Sequence, residues 1–194
     1  MKSNCKIKIG FLALVMFLSL LITSLDNFFI LFTAVAVHEL GHILMAKFCN
    51  IRLRELKLGI FGAALTPTST LYSYKKEILL ALGGPLFSFA CTFAVRAFSS
   101  GGASTDTFAA VSLMLGCINL LPIAGFDGGR ITHCILCVVL GPRSAGRILK
   151  LLSFTFIFIL WLCSVYLLIK LGVSLNLFIF SLSLFTKIFI PNQT

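Results

Sequence analysis

The chain has 194 residues, of which 59% are hydrophobic and 11% charged, and its mean hydropathy is +1.07. A single soluble core does not need that much apolar surface, so the composition excludes an ordinary soluble domain and predicts one polytopic membrane domain. The net charge of +10 does not indicate nucleic-acid binding, because the sequence has no basic patch interleaved with aromatic residues.

Apolar runs separated by charged residues predict an all-α membrane protein with about six transmembrane helices. Each run is close to the length that crosses a hydrocarbon layer of about 30 Å. The runs cover residues 9–24, 28–49, 78–98, 106–126, 148–169 and 172–190. Most Lys and Arg residues flank the ends that a cytoplasmic N-terminus places inside, and only Arg96 and Lys170 lie near outside ends. This asymmetry predicts a multi-pass protein with a cytoplasmic N-terminus, surrounded by lipid.

The second run contains the most informative motif, His38-Glu39-Leu40-Gly41-His42. In a helix, His38 and His42 lie one turn apart on one face, close enough to bind a single Zn²⁺. Two His ligands leave room for a third protein ligand and a water molecule, whose proton Glu39 can accept. Ionisable groups inside an apolar span are costly, which favours function over ordinary packing. His42 precedes Lys47 by a turn or two, so the site is expected near cytoplasmic water.

Residues 51–65, between the second and third runs, begin with alternating apolar and charged side chains and then reach Gly59 and Gly62. This period of two predicts a short β-hairpin at the membrane surface, with an irregular loop as the alternative. An unpaired edge of such a hairpin could hold a substrate segment in extended form.

The third run contains Gly83-Gly84-Pro85. The two glycines permit close approach of another helix, and Pro85 removes a backbone donor, so a packing kink is predicted there. A direct role in catalysis is the alternative.

The fourth run leads into a second polar stretch, from Asn119 to Arg130. Four residues in it oppose a regular helix, and an unwound segment at membrane depth must line protein or a water-filled cavity. These residues are Pro122, Gly125, Gly128 and Gly129. Asp127, placed at the cytoplasmic end of the run, is the candidate third zinc ligand. Asn119 could donate a hydrogen bond to an oxyanion or to the substrate backbone.

Two other functions remain open at this point. A membrane protein that binds zinc structurally or transports it needs no catalytic glutamate, although a transporter should carry ionisable groups along several spans. A zinc hydrolase acting on lipid or another small molecule is the third reading.

Together, His38-Glu39-Leu40-Gly41-His42 and the segments Asn119–Pro122 and Asp127–Arg130 resemble the motifs of the site-2 protease family (peptidase M50) of intramembrane zinc metalloproteases. The order of spans resembles its bacterial stage IV sporulation protein FB branch, which cleaves a sigma-factor precursor. The resemblance implies an enzyme of the bacterial plasma membrane that cleaves a membrane-associated protein, such as a sigma-factor precursor or an anti-sigma factor. A regulatory membrane partner would belong to such a system, and nucleic acid would not.

The resemblance also implies roles for individual residues. His38, His42 and Asp127 would bind one zinc ion, and Glu39 would be the general base. Asn119, with Pro122 in the same motif, would contact the substrate or the transition state. Structural roles are implied for Gly83, Gly84, Pro85, Gly128 and Gly129. The chain is expected to be a single metalloprotease domain over residues 1–194, without the nucleotide-sensing CBS domain of many sporulation-branch members and without an inserted PDZ domain.

Overall fold

The computed structural model describes residues 25–51, 53–59, 62–67, 73–99 and 101–171, together with Ser181, Leu184 and Phe185. The predicted span 9–24 lies outside the described residues, as does 172–190 apart from those three positions. The chain forms two compact units, divided after Leu120.

Among the elements that the structure describes, three helices and a pair of strands lie in the first unit and two helices lie in the second. The elements are α1 (Leu25–Phe48), β1 (Leu53–Gly59), β2 (Gly62–Pro67), α2 (Tyr74–Phe98), α3 (Ala103–Asn119), α4 (Asp127–Leu140) and α5 (Pro142–Leu171). Within the described residues, three helices are long and apolar enough to cross a membrane: α1, α2 and the segment Pro142–Lys170 of α5. The predicted runs 28–49, 78–98 and 148–169 are therefore confirmed as helices of spanning length.

Helix α1 carries charges that suit its dipole and ends in a defined cap. Asp26 lies in the first turn and Lys47 in the last, where each charge opposes the partial charge of the helix end. Asn50 has a φ of 52°, and the amides of Asn50 and Ile51 bond back to the carbonyls of Lys47 and Ala46. These paired bonds around a left-handed residue form a Schellman motif, which stops the helix at a fixed point beyond His42.

Strands β1 and β2 pair in antiparallel fashion, with Gly59 opposite Gly62 and an irregularity in register between Leu53 and Glu55. They fall in the region where the alternating pattern predicts a hairpin, although residues 52, 60 and 61 lie outside the described part of the chain. The sheet formed by the described residues has two strands.

Helices α1 and α2 approach each other at two glycines. A Cβ atom added to Gly41 would collide with the backbone carbonyl of Gly83, and one added to Gly83 would lie 2.7 Å from the carbonyl oxygen of Gly41. The two backbones are therefore in direct contact. This confirms the close helix approach predicted for Gly83, and it places the histidine face of α1 against α2.

Helix α3 packs on α2 through small residues. A Cβ on Gly116 would lie 2.6 Å from the ring of Phe89, and the hydroxyl of Thr92 donates to the carbonyl of Ala109 at 3.3 Å. The fully buried Ser112 lies on the same stretch of α3. The small side chains allow α3 to pack closely against α2.

The predicted fourth span, 106–126, is not one continuous helix. Helix α3 ends at Asn119, and Pro122 follows as a residue that cannot continue the helix. Asp127 is accordingly not at the end of that span but in the first turn of a separate helix, α4. There its carboxylate lies at the positive end of the helix dipole.

Gly128 and Gly129, expected to oppose a helix, lie inside α4. A Cβ on Gly129 would collide with the carbonyl oxygen of Ile123, so the preceding segment folds directly against the first turn of α4. Gly125 has a φ of 98°, and the amide of Ala124 donates to the hydroxyl of Ser153 on α5 at 2.8 Å. These contacts explain why α4 begins at Asp127 despite the low helix propensity of glycine.

Candidate metal centre

The two histidines of α1 form the centre of the candidate site. His38 and His42 are each only 3% exposed, and their ring centroids are 5.0 Å apart with the ring planes inclined by 79°. The predicted placement of both imidazoles on one helix face is therefore present in the structure.

Each imidazole is held through its Nδ1 atom by helix α2. The Nδ1 of His42 lies 2.8 Å from the carbonyl oxygen of Leu80, and the Nδ1 of His38 lies 2.9 Å from the hydroxyl oxygen of Ser88. A carbonyl oxygen can only accept, so the Nδ1 of His42 carries the proton in that bond. Its Nε2 atom then presents a lone pair, as a metal ligand requires.

The amide of Gly84 lies 3.2 Å from the same Nδ1 atom of His42. A nitrogen that carries a proton cannot also accept one, so the bonds to Leu80 and from Gly84 cannot form together. The contact with Leu80 is shorter, and it places the ring proton on Nδ1, so that Nε2 carries the lone pair that a metal ligand needs.

Gly84 lies next to the Nε2 atoms of both histidines. A Cβ atom at this position would collide with the Nε2 of His42 and lie 2.6 Å from the Nε2 of His38. The two Nε2 atoms thus approach the same point on the backbone of α2. Gly83 and Gly84 have different roles: Gly83 lets the helices touch, and Gly84 leaves room for the imidazoles.

Glu39 follows His38 on α1 and is half-buried, with one carboxylate oxygen shielded from solvent. Its place next to His38 is that of the glutamate which, in the H-E-x-x-H pattern, acts on a water bound to the metal. A carboxylate in such a place can accept a proton from that water.

Asp127 belongs to the second unit, where it is 7% exposed. One of its carboxylate oxygens lies 3.5 Å from a guanidinium nitrogen of Arg130, which is at the limit of a hydrogen bond. Gly128 and Gly129 beside it are also buried. A buried carboxylate whose ion pair is this long is a suitable ligand for a metal. The carboxylate is also stabilised in the first turn of α4 by the positive end of the helix dipole.

The candidate substrate residues lie near the end of α3. Asn119 is 8% exposed, and its side-chain nitrogen donates to the carbonyl of Leu115 at 3.0 Å. Part of the amide is therefore used within its own helix. Pro122 is half-buried in the segment between α3 and α4.

The donor set fits zinc. Two neutral imidazoles and one carboxylate, with a fourth position for water, form the ligand pattern of catalytic zinc sites. Nitrogen ligands whose Nδ1 atoms are held by a carbonyl and a hydroxyl also match the outer contacts usual for metal-binding histidines. His38, His42 and Asp127 are all buried and all offer ligand atoms of the right type.

Sequence reasoning did not identify Ser88 or the carbonyl of Leu80 as parts of the site. The spacing in the sequence could have identified Ser88. It follows Gly84 by about one helical turn, and Leu80 precedes Gly84 by about one turn. The three residues thus share one face of α2.

Residues 27–107 match the family model described as Peptidase family M50. This range contains the two histidines, Glu39 and the Gly83-Gly84-Pro85 segment. The chain is also 32% identical to zinc metalloprotease MJ0392 of Methanocaldococcus jannaschii over 129 residues. Over this range the chain is similar to the peptidases of family M50.

The match to a second relative covers more of the chain. The stage IV sporulation protein FB of Bacillus subtilis is 29% identical over 184 residues, which is 91% of the chain and 64% of that protein. The match to MJ0392 covers 62% of the chain and 37% of that protein. The chain thus spans less than two thirds of the length of either relative.

The solved structure of the site-2 protease from Methanocaldococcus jannaschii has the same fold. The comparison gives a TM-score of 0.74 and covers 100% of the chain and 96% of that structure, at 22% sequence identity. At this level of identity the likeness concerns the fold alone.

Proposed function

We propose that the chain is an intramembrane zinc metalloendopeptidase that hydrolyses a peptide bond of a membrane-associated protein. The observation that carries this proposal is the arrangement of the two imidazoles: both Nε2 atoms approach Gly84, and both Nδ1 atoms are held by α2. We further propose that His38, His42 and Asp127 together hold one zinc ion. The family match and the names of the relatives support this choice of metal.

A bound zinc ion would polarise the scissile carbonyl and make the attacking water more acidic. Glu39 accepts one proton from that water as its oxygen bonds to the carbonyl carbon. Glu39 then donates the proton to the amide nitrogen as the carbon–nitrogen bond breaks, so one water is consumed and a carboxylic acid and an amine are formed, which at neutral pH are present as a carboxylate and an ammonium group. The amide of Asn119 and the segment at Pro122 are the proposed contacts for the substrate backbone.

The site is proposed to face the cytoplasm. His42 precedes Lys47 by five residues in α1, which corresponds to about 7.5 Å along the helix axis. Lys47 marks the helix end at which basic residues collect, as expected for the inner leaflet. Zinc, water and the scissile bond would then meet close to the inner surface of a bacterial plasma membrane, with the outer predicted runs 9–24 and 172–190 completing six spans.

The strand pair offers a way to present a substrate. In the described sheet of two strands, each strand has one edge without a partner strand. A substrate segment could add to such an edge in extended form, which exposes its peptide bonds for hydrolysis. Movement of this pair or of neighbouring helices would admit substrate and water. The stage IV sporulation protein FB likeness suggests a sigma-factor precursor or anti-sigma factor as substrate, with a membrane protein as regulator.

Metal removal tests the proposal directly. We expect the purified chain in lipid vesicles to cleave a reporter protein with a membrane-embedded segment. A zinc chelator should stop the cleavage, and added zinc should restore it. Cleavage is followed by gel electrophoresis and mass spectrometry of the products. Cleavage that continues in metal-free protein would contradict the proposal.

The assignment of Asp127 as the third ligand has its own test. We expect Asp127→Ala to weaken zinc binding by more than the roughly 10- to 100-fold that loss of an outer contact costs. Arg130→Gln is the matched control, because it removes the other partner of the 3.5 Å ion pair while leaving the carboxylate in place. Zinc affinity is measured by competition with a coloured chelator. Equal losses in the two variants would show that Asp127 acts through Arg130 and not on the metal.

A further inference from the structure

Helix α2 contacts the two histidines at regular intervals. The carbonyl of Leu80 bonds to His42, the backbone of Gly84 lies beneath both Nε2 atoms, and the hydroxyl of Ser88 lies 2.9 Å from His38. The three positions are spaced by four residues each and follow one face of the helix. One helix thus contributes the outer contacts of both imidazoles.

The hydroxyl of Ser88 makes a different hydrogen bond from most Ser and Thr hydroxyls in the described helices. Several of these donate to the backbone carbonyl four residues earlier, which is the usual local bond of Ser and Thr in helices. The residues that do so are Thr33, Thr92, Thr107, Ser153 and Thr155. The hydroxyl of Ser88 instead reaches across to α1, although Ser88 is 0% exposed and lies within the helix. The cross-helix contact therefore orients a specific side chain.

The direction of this bond depends on the metal. A metal ion on the Nε2 of His38 needs a lone pair there, so the proton of the neutral ring must lie on Nδ1. Nδ1 then donates, and the Ser88 oxygen is the atom in position to accept. The Leu80 carbonyl performs the same task for His42, but it is a backbone atom, which side-chain substitution leaves in place. Ser88 is the outer contact that a point substitution can remove.

We propose that Ser88 is a positioning residue for the metal site: its hydroxyl accepts the Nδ1 proton of His38 and fixes the ring so that Nε2 points at the metal. This rests on the proposed function, because it assumes that His38 binds zinc. Ser88 does not touch the substrate or the reacting atoms.

The experiment measures zinc affinity in the purified full chain with Ser88→Ala, Ser88→Thr and Ser112→Ala. Ser112 is the matched control, because it is also 0% exposed and its hydroxyl oxygen has no hydrogen-bond partner among the described residues. We expect Ser88→Ala to bind zinc about 10- to 100-fold more weakly. Ser88→Thr keeps a hydroxyl and should regain most of the affinity, and Ser112→Ala should bind zinc like the wild type.

A second readout separates orientation from general packing. The wild type and variants are loaded with Co²⁺, and the visible absorption bands of the bound ion are recorded. Ser88→Ala should shift these bands because the His38 ring turns, whereas Ser112→Ala should leave them unchanged. If Ser88→Ala does not fold, Ser88→Cys replaces it, since a thiol is a weaker acceptor and should still bind zinc less tightly than Ser88→Thr does.

The outcomes are distinguishable. Zinc binding by Ser88→Ala equal to that of the wild type, with unchanged cobalt bands, overturns the positioning role and leaves the proposed function intact. Equal losses in Ser88→Ala and Ser112→Ala also overturn it, because they would indicate a packing effect. A wild type that binds no zinc overturns the proposed function and this inference with it.

Discussion

Replacing Glu39 with Gln is expected to abolish peptide-bond hydrolysis while zinc remains bound. Gln has nearly the same shape as Glu but cannot accept a proton from water, so the step assigned to Glu39 is lost. General acid–base catalysis contributes about 10²- to 10⁴-fold to a rate, and the loss should be of that size. Cleavage of the membrane-embedded reporter and the zinc content of the purified variant are measured side by side.

Glu77→Gln is the matched control for this experiment. Glu77 lies in the first turn of α2 and has no proposed role in the chemistry, so the same substitution there should leave cleavage near the wild-type rate. Full activity in Glu39→Gln would contradict the mechanism. This variant also separates a protease from a zinc-binding or zinc-transporting protein, because the function of a binder or carrier should be little affected when the metal ligands are unchanged.

Replacing Gly84 with Ala is expected to remove zinc binding and activity together. The added methyl group would occupy the space in which the two Nε2 atoms lie, so at least one imidazole must turn away from the metal. The loss of zinc affinity should exceed the roughly 10- to 100-fold effect of removing an outer contact. Zinc titration and thermal unfolding of the purified variant are the measurements.

Substitutions of two other glycines serve as controls for Gly84→Ala. Gly41→Ala would place a methyl group against the backbone of α2, which cannot turn aside as a side chain can, and overpacking of this kind costs about 1–3 kcal/mol. That variant should lose thermal stability as well as activity. Gly146→Ala in α5 meets nothing within 4 Å and should change neither zinc binding nor activity. If Gly84→Ala binds zinc as tightly as Gly146→Ala, the placement of the imidazoles over Gly84 is contradicted.

The core of the site could be predicted because it depends on local periodicity. The spacing of His38 and His42 places both on one face of any helix, and the apolar run around them is long enough to form that helix. The same reasoning identified α1, α2 and α5. It also predicted the close approach at Gly83, since a pair of glycines in an apolar span has few other uses.

The remainder depends on contacts between elements that are distant in the sequence. Pro122 and Gly125 indicate that the fourth run unwinds after Asn119, but nothing local predicts that a new helix, α4, begins at Asp127. The low helix propensity of glycine predicts that Gly129 lies outside a helix. In the structure it lies inside α4, where the backbone of Ile123 packs directly against it. In the sequence, Ser88 has no feature beyond its spacing from Gly84 that distinguishes it from other small residues. Its role becomes visible only from its contact with His38 on α1. Hydropathy shows how long an apolar segment is, but it does not show which polar atom forms a hydrogen bond with a histidine.

The glycine contact between α1 and α2 also limits how the molecule can open. Gly41 and Gly83 bring main chain against main chain, so no rotamer change at this seam can separate the two helices. We therefore expect the histidine pair and its α2 partners to travel as one rigid body during turnover. We expect any displacement that would admit a polypeptide to the proposed zinc site to come from other parts of the chain.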